Sequence, residues 1–214
     1  MNYPPRSELE WWEWFLRVHL PFTQREEYVG YRYCEGRPMM LGCGLSGDAL
    51  HATFQGDVLD LGSGAISVLE CRRGCRTIAV DPLMGEFARK FPALVKLGWK
   101  YNGVTYLQST VADLLDESFD VVWCYNVLDH IPEWREALAG CRRVLRPGGL
   151  LILGTDVRYP DYKMSGLELD LHPSAFTAED VYAELDKNDM LADWVGSPGH
   201  GPKWRLGLRT RRRE

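Results

Sequence analysis

An apolar run in the sequence ends in two glycines one residue apart, and an acidic residue closes the next apolar run. Residues 58–61 lead into Gly62-Ser63-Gly64, and Asp81 stands nineteen residues after Gly62. A glycine turn after a strand lets the backbone approach a ligand closely, and a carboxylate ending the next strand can accept both hydroxyls of a ribose. The spacing therefore predicts a nucleoside site.

Asp60 lies two residues before the first glycine and bears on which nucleoside could bind there. Its negative charge would repel the pyrophosphate of a dinucleotide, and the third glycine of the dinucleotide fingerprint is replaced by Ser67. S-adenosylmethionine has a ribose, no phosphate, and an ammonium and a sulfonium that favour nearby carboxylates. These residues favour S-adenosylmethionine, with a dinucleotide such as NAD as the alternative.

A second group of polar residues follows a later apolar run. His130 is a candidate general base because imidazole titrates near neutral pH. The alternative for His130 is a structural pairing with Asp129 at a helix start. His172, in the polar stretch beyond the next strand, is the second candidate base.

The six cysteines do not predict a metal centre or a disulfide framework. No two are spaced as C-x-x-C, and no histidine lies at a zinc-finger distance from them. Asp129 and Asp156 alone are weak support for a cation site. We therefore expect free thiols, no metal and a cytoplasmic location.

The elements that must position these residues alternate along the chain. Apolar runs of strand length occupy residues 57–61, 77–80, 104–108, 119–124 and 150–154, and helical spacing occupies residues 67–73, 84–91 and 133–145. Strands separated by helices predict a doubly wound α/β sheet with mostly parallel pairing. A helix opened by Thr177 follows, and residues 191–195 and 203–209 predict an antiparallel hairpin that closes the sheet.

Four segments, residues 58–64, 79–82, 119–122 and 143–149, resemble in order the successive motifs of class I S-adenosylmethionine-dependent methyltransferases of the small-molecule type. The resemblance covers about residues 55–155 and implies a seven-stranded Rossmann-like sheet. It also implies that Asp60 and the Gly62-Ser63-Gly64 turn lie against the methionine part of the cofactor. Asp81, with Pro82 beside it, would bind the ribose.

In the same family the loop after the third strand frames the adenine, which here assigns Val111, Ala112 and Asp113 to that role. The exit of the fourth strand faces the methyl group in that family, which makes Asn126 a candidate for cofactor contact. Asp113 has an equally good alternative as the carboxylate that caps a short helix.

The resemblance implies a methyltransferase that acts on an oxygen or nitrogen of a small-molecule acceptor, such as a sugar or a secondary metabolite. The alternatives are an RNA or tRNA methyltransferase and a non-catalytic protein of this fold that binds a partner or senses the cofactor. A formal net charge of −5 does not favour nucleic-acid binding, and no apolar run is long enough to cross a membrane.

We interpret the chain as one domain, with a helical cap over residues 1–50, a cofactor-binding core over 55–155, and an acceptor-pocket loop, helix and hairpin over 156–214. The cap is rich in tryptophan, including Trp11, Trp12 and Trp14. Its aromatic residues could form core, a lid over the acceptor, or the interface of a homodimer.

Overall fold

The computed structural model describes residues 7–18, 45, 52–72, 74–158, 172–196 and 204–213. Within them the helices are α1 (Glu8–Val18), α2 (Met84–Lys90), α3 (Trp134–Val144) and α4 (Ala178–Lys187). The strands are β1 (Gly56–Leu61), β2 (Cys75–Val80), β3 (Lys100–Tyr101), β4 (Val104–Leu107), β5 (Phe119–Tyr125), β6 (Leu145–Val157), β7 (Met190–Gly196) and β8 (Trp204–Arg212). No described helix has the length and apolar character that a membrane crossing requires.

The eight strands form one twisted sheet in the order β3-β4-β2-β1-β5-β6-β8-β7. Strands β4, β2, β1, β5 and β6 are parallel, whereas β3, β8 and β7 each run antiparallel to a neighbour. The order reverses between β1 and β5, and ligands of open α/β sheets bind at such a reversal, beyond the carboxyl ends of the strands.

The doubly wound sheet and its closing hairpin confirm the predicted fold class. The sheet has one strand more than expected, because β3 adds a two-residue antiparallel edge beside β4. The helix predicted for residues 84–91 is found, and the one predicted for 133–145 ends at Val144, before Arg146-Pro147-Gly148-Gly149. Thr177 caps α4, and its hydroxyl accepts a hydrogen bond from the Asp180 amide.

The helix predicted for residues 67–73 was wrong in type and length. A single 3-10 helix, Val68–Cys71, occupies this position, and Ser67 caps it by accepting a hydrogen bond from the Leu69 amide. Only a short segment separates the glycine turn from β2, and Gly74 adopts φ +85°, so the chain turns back before a full α-helix can form.

The core is divided between the two faces of the sheet. On one face Leu59, Val122 and Leu151 pack beneath Leu138 of α3 and Leu185 of α4. Smaller apolar clusters, one of them shared with α1 and α2, cover the rest of the sheet. These layers hold the strand ends at a common edge, where the candidate site lies.

Helix α1 is the main described part of the predicted N-terminal cap, of which residues 1–6, 19–44 and 46–50 lie outside the described residues. Trp12, Phe15 and Leu16 are buried against Phe87 of α2, whereas Trp14 is 40% exposed. Of the three alternatives left open for these aromatic residues, a place in the core applies to Trp12 and not to Trp14. Because Trp12 and Phe15 also line a cavity, α1 serves as core and as cavity wall.

Candidate functional site

A cavity of about 1100 Å³ opens at the carboxyl ends of β1, β2, β4, β5 and β6. The structure brings most of the predicted site residues to its wall, namely Asp60, Gly62, Ser63, Gly64, Asp81, Pro82, Val111, Ala112, Asn126, His130 and His172. Asp113 is not among the residues lining this cavity. The wall also includes Glu8 and Trp11 from α1, so the site is closed by an element outside the α/β core.

The glycine turn after β1 requires glycine at both of its ends. Gly62 and Gly64 have φ values of +66° and +63°, a region that side chains rarely adopt. A Cβ atom on Gly62 would lie 2.5 Å from Val127 Cγ2, and one on Gly64 would lie 2.3 Å from Trp12 Cζ2. Neither position could therefore carry a side chain unless Val127 or Trp12 moved.

Asp81 lies at the end of β2 and is fixed by two backbone amides. The amide of Gly64 donates to Oδ2 at 3.0 Å, and that of Leu83 donates to Oδ1 at 2.8 Å. Burial raises the pKa of Asp81 to about 6, opposed by these two hydrogen bonds, while the charge of Glu8 raises it further and His130 lowers it. A carboxylate held in this way has lone pairs left for ligand hydroxyls.

Asp60 is buried at the end of β1 and belongs to a chain of polar side chains. The Ser67 hydroxyl donates to Asp60, and the Ser67 amide donates to the Tyr106 hydroxyl at 2.8 Å. Tyr106 in turn donates to Glu70 Oε1 at 2.5 Å. Because Ser67 is held on both sides, the orientation of Asp60 is fixed before any ligand arrives.

The loop after β4 forms another part of the wall through Val111 and Ala112. Asp113 accepts hydrogen bonds from the Thr110 amide and hydroxyl, at 3.2 and 3.0 Å. Thr110 caps a 3-10 helix, Val111–Asp113, and the geometry thus supports the alternative assignment of Asp113 as a carboxylate of the helix start. Arg143 of α3 donates to the carbonyls of Val111 and Leu114, each at 2.7 Å, and so fixes the shape of the loop.

The wall beyond β5 contains a buried carboxylate between two imidazoles. Asp129 has no exposed surface, and His172 Nδ1 lies 2.7 Å from its Oδ2, while Thr155 donates to Oδ1 at 3.1 Å. His130 Nε2 lies 3.8 Å from the same Oδ2. Burial alone would raise the pKa of Asp129, but the hydrogen bond from His172 and the charges of both histidines hold it below its usual range.

The two candidate bases thus occupy one cluster, with their ring centroids 4.4 Å apart. His172 has the shorter contact with Asp129. The predicted structural pairing of Asp129 with His130 is found at the longer distance of 3.8 Å. Ligand atoms of Asp129, His130 and His172 lie within 4.8 Å of one another, a spacing that could also accept a metal ion.

Asn126, directly after β5, has a left-handed backbone with φ +59°. Its amide donates to the Gly154 carbonyl at 2.6 Å, and its side-chain nitrogen lies 3.2 Å from His130 Nε2. An uncommon backbone conformation of this kind, held by neighbouring strands, often occurs at functional sites.

Sequence reasoning missed several residues of the wall, including Glu8, Glu133 and Glu136. Their positions depend on how helices pack over the strand ends, which no local pattern reveals. The position of Glu8 one helical turn before the buried Trp12 was the available signal, because residues four apart lie on one helix face.

Comparison with known proteins identifies a conserved type of domain in the core of the chain. Residues 59–153, less than half of the chain, match a family model described as a methyltransferase domain. The ubiquinone biosynthesis O-methyltransferase of Hahella chejuensis is 36% identical over 110 residues, which are 48% of this chain and 44% of that protein. The protein of the same name from Alkalilimnicola ehrlichii is 34% identical over 108 residues, covering 48% and 42% of the two chains. The chain thus spans less than half the length of these curated relatives.

Solved structures share the fold over more of the chain. The 1,6-didemethyltoxoflavin-N1-methyltransferase of Burkholderia thailandensis, solved with S-adenosylhomocysteine, has a TM-score of 0.58 and 20% identity and covers 92% of this chain and 94% of its own. A [4+2]-cyclase has a TM-score of 0.59 and 16% identity, with 78% and 79% coverage. At these identities the likeness shows the fold alone.

Proposed function

We propose that the protein is a class I S-adenosylmethionine-dependent methyltransferase, which transfers a methyl group from S-adenosylmethionine to an oxygen or nitrogen of a small-molecule acceptor. One observation carries this proposal. A single cavity is lined by the glycine turn, by Asp81 and by His172, which is hydrogen-bonded to the buried Asp129 behind it. The residues that would bind the nucleoside and accept the proton thus face the same cavity.

The residues of the cavity fit the cofactor. The glycine turn, with positive φ at Gly62 and Gly64, presents backbone to the cavity, and the carboxylate of Asp60, oriented by Ser67, lines the same wall. Asp81 would accept the ribose hydroxyls, while Val111 and Ala112 would flank the adenine. When bound, S-adenosylmethionine supplies an electrophilic methyl group.

We assign His172 as the proton acceptor, whereas the prediction from sequence had His130 as the first candidate base and His172 as the second. Its Nδ1 is held by Asp129, so Nε2 is left to take the proton of an acceptor hydroxyl or ammonium. Asp129 would fix the ring and stabilise the imidazolium that forms. His130, between Asn126 and Glu8, would shape the same wall.

The chemistry of the acceptor atom remains a proposal drawn from two sources. The names of the curated relatives support an oxygen acceptor, and the name of the Burkholderia structure supports a nitrogen acceptor. The cavity of about 1100 Å³ has room for a small molecule beside the cofactor. The division into cap, core and acceptor-side segment, the absence of a nucleic-acid partner, the homodimer and the cytoplasmic location remain predictions.

The test is calorimetric titration of the purified protein with S-adenosylhomocysteine and, separately, with NAD. We expect binding of S-adenosylhomocysteine alone. Transfer of a labelled methyl group from S-adenosylmethionine is then measured on matched phenol, alcohol and amine acceptors. Binding of NAD instead would overturn the proposal, and cofactor binding without transfer to any acceptor would favour a cofactor-sensing protein.

A further inference from the structure

Glu8, the first residue of α1, reaches into the cavity from outside the α/β core. Its Oε2 lies 3.1 Å from His130 Nδ1, and its Oε1 accepts a hydrogen bond from Trp12 Nε1 at 2.9 Å. The Glu8 side chain is 38% exposed and lines the cavity. The carboxylate is therefore held from two sides and still faces the space where a ligand would lie.

Helix α1 is anchored firmly enough to fix this position. The Trp12 ring packs against the glycine turn at Gly64 and meets the Phe87 ring edge-on, with centroids 5.6 Å apart. Glu13 forms an ion pair with Lys90 at the end of α2. Because Trp12 touches the turn that would hold the methionine part of the cofactor, Glu8 lies one helical turn from that part of the cavity.

The charge around Glu8 is predominantly negative. Glu8 and Asp81 interact strongly enough for Glu8 to raise the pKa of Asp81, and the buried Asp60 lies on the same wall. The two histidines of the cluster are the only titratable bases among the described residues that line the cavity, which include no lysine or arginine. A ligand with positive charge at its centre would relieve this repulsion.

We propose that Glu8 recognises the sulfonium charge of the cofactor and so makes the site prefer S-adenosylmethionine over S-adenosylhomocysteine. This inference rests on the proposed function. The two compounds share the ribose, the adenine and the amino-acid group, but only S-adenosylmethionine carries the sulfonium. A carboxylate near the sulfur therefore acts on one compound and leaves the other almost unaffected, which favours release of the product.

The test compares dissociation constants of both compounds by calorimetry for the wild type and Glu8→Gln. We expect Glu8→Gln to weaken S-adenosylmethionine binding roughly five- to tenfold, the scale for one partly exposed charge pair. Binding of S-adenosylhomocysteine should change less than twofold. Glu10→Gln is the matched control, because Glu10 is an exposed residue of the same helix outside the cavity wall, and it should change neither constant.

A second variant separates charge recognition from docking of α1. Glu8→Asp shortens the side chain and so weakens its contacts with Trp12 and His130 but keeps the negative charge, so the ratio of the two constants should stay within threefold of the wild-type ratio. Equal weakening of both compounds in Glu8→Gln, or a loss of preference in Glu8→Asp as large as in Glu8→Gln, would overturn the inference. A wild type that binds neither compound would overturn the proposed function itself.

Discussion

Replacement of Asp81 by asparagine tests the proposed ribose contact with little change in shape. The carboxylate is 8% exposed and has a pKa of about 6 instead of 3.8, so keeping it ionised above pH 6 costs about 3 kcal/mol of folding free energy. Asparagine removes that cost. It also has one oxygen where the carboxylate has two, so the amide of Gly64 or Leu83 loses its acceptor, at about 1–3 kcal/mol.

These two effects oppose each other, so we expect the free energy of unfolding of Asp81→Asn to stay within about 2 kcal/mol of the wild-type value. The effect of Asp81→Asn on ligand binding has no opposing contribution of this kind. Loss of a charged acceptor for the ribose hydroxyls should weaken S-adenosylhomocysteine binding by about 1.5–3 kcal/mol, or roughly 10- to 150-fold.

The pH dependence gives a second readout with a defined sign. The pKa of Asp81 is raised in the folded protein, so the unfavourable contribution to stability is present above pH 6 and disappears as the pH falls below 3.8. S-adenosylhomocysteine should bind best when the Asp81 carboxyl group is ionised. The affinity of the wild type for S-adenosylhomocysteine should therefore decrease below pH 6, by up to about tenfold per pH unit, and this decrease should be absent in Asp81→Asn.

Titration calorimetry at several pH values between 5 and 8, with urea unfolding of each variant, provides both readouts. Asp186→Asn is the matched control, because it makes the same chemical change at an exposed position of α4 that lies outside the cavity wall. A dissociation constant of Asp81→Asn within twofold of the wild type at pH 8 would refute the ribose assignment. A decrease at low pH of equal size in both proteins would assign the titration to another group.

Two further predictions concern the opposite wall and the glycine turn. His172→Ala should lower kcat by at least about 100-fold and leave the dissociation constant of S-adenosylhomocysteine within threefold of the wild-type value. His130→Ala should lower kcat less. Loss of both cofactor binding and turnover in His172→Ala would indicate a structural role for His172. Gly64→Ala should reduce the free energy of unfolding by more than Gly98→Ala, as measured in urea, because both have positive φ but only Gly64 has Trp12 within contact distance. Equal losses would show that the contact with Trp12 is unimportant.

The fold and the placement of the glycine turn and Asp81 at the cavity wall could be predicted from sequence because their signals are local. A tight turn directly after a strand requires positive φ, which glycine adopts at Gly62 and Gly64. Asp81 follows an apolar run of strand length. Thr177 likewise precedes its helix with an acidic residue three positions on. Each of these features depends on residues that are close in the chain.

The wall that contains Asp129, His130 and His172 could be predicted only in part, because the contacts that form it join residues distant in the chain. The pairing of Asp129 with His172 joins residues 43 positions apart, and the contact of Glu8 with His130 joins a cap helix to the exit of β5. Both histidines were candidates because of their residue type. Neither their order of importance nor the role of Glu8 follows from spacing, since both depend on tertiary packing.

The short β3 strand also affects how two copies of the chain could meet. A sheet extends into a second molecule by pairing several consecutive backbone groups along an edge strand. Strand β3 offers only Lys100 and Tyr101, and the lysine places a charge there, so this edge is a poor template for intermolecular pairing and for aggregation. At the opposite end of the sheet β7 has seven residues, with Leu191 half exposed. Self-association through strand pairing would therefore be directed to the β7 end, far from the β3 side.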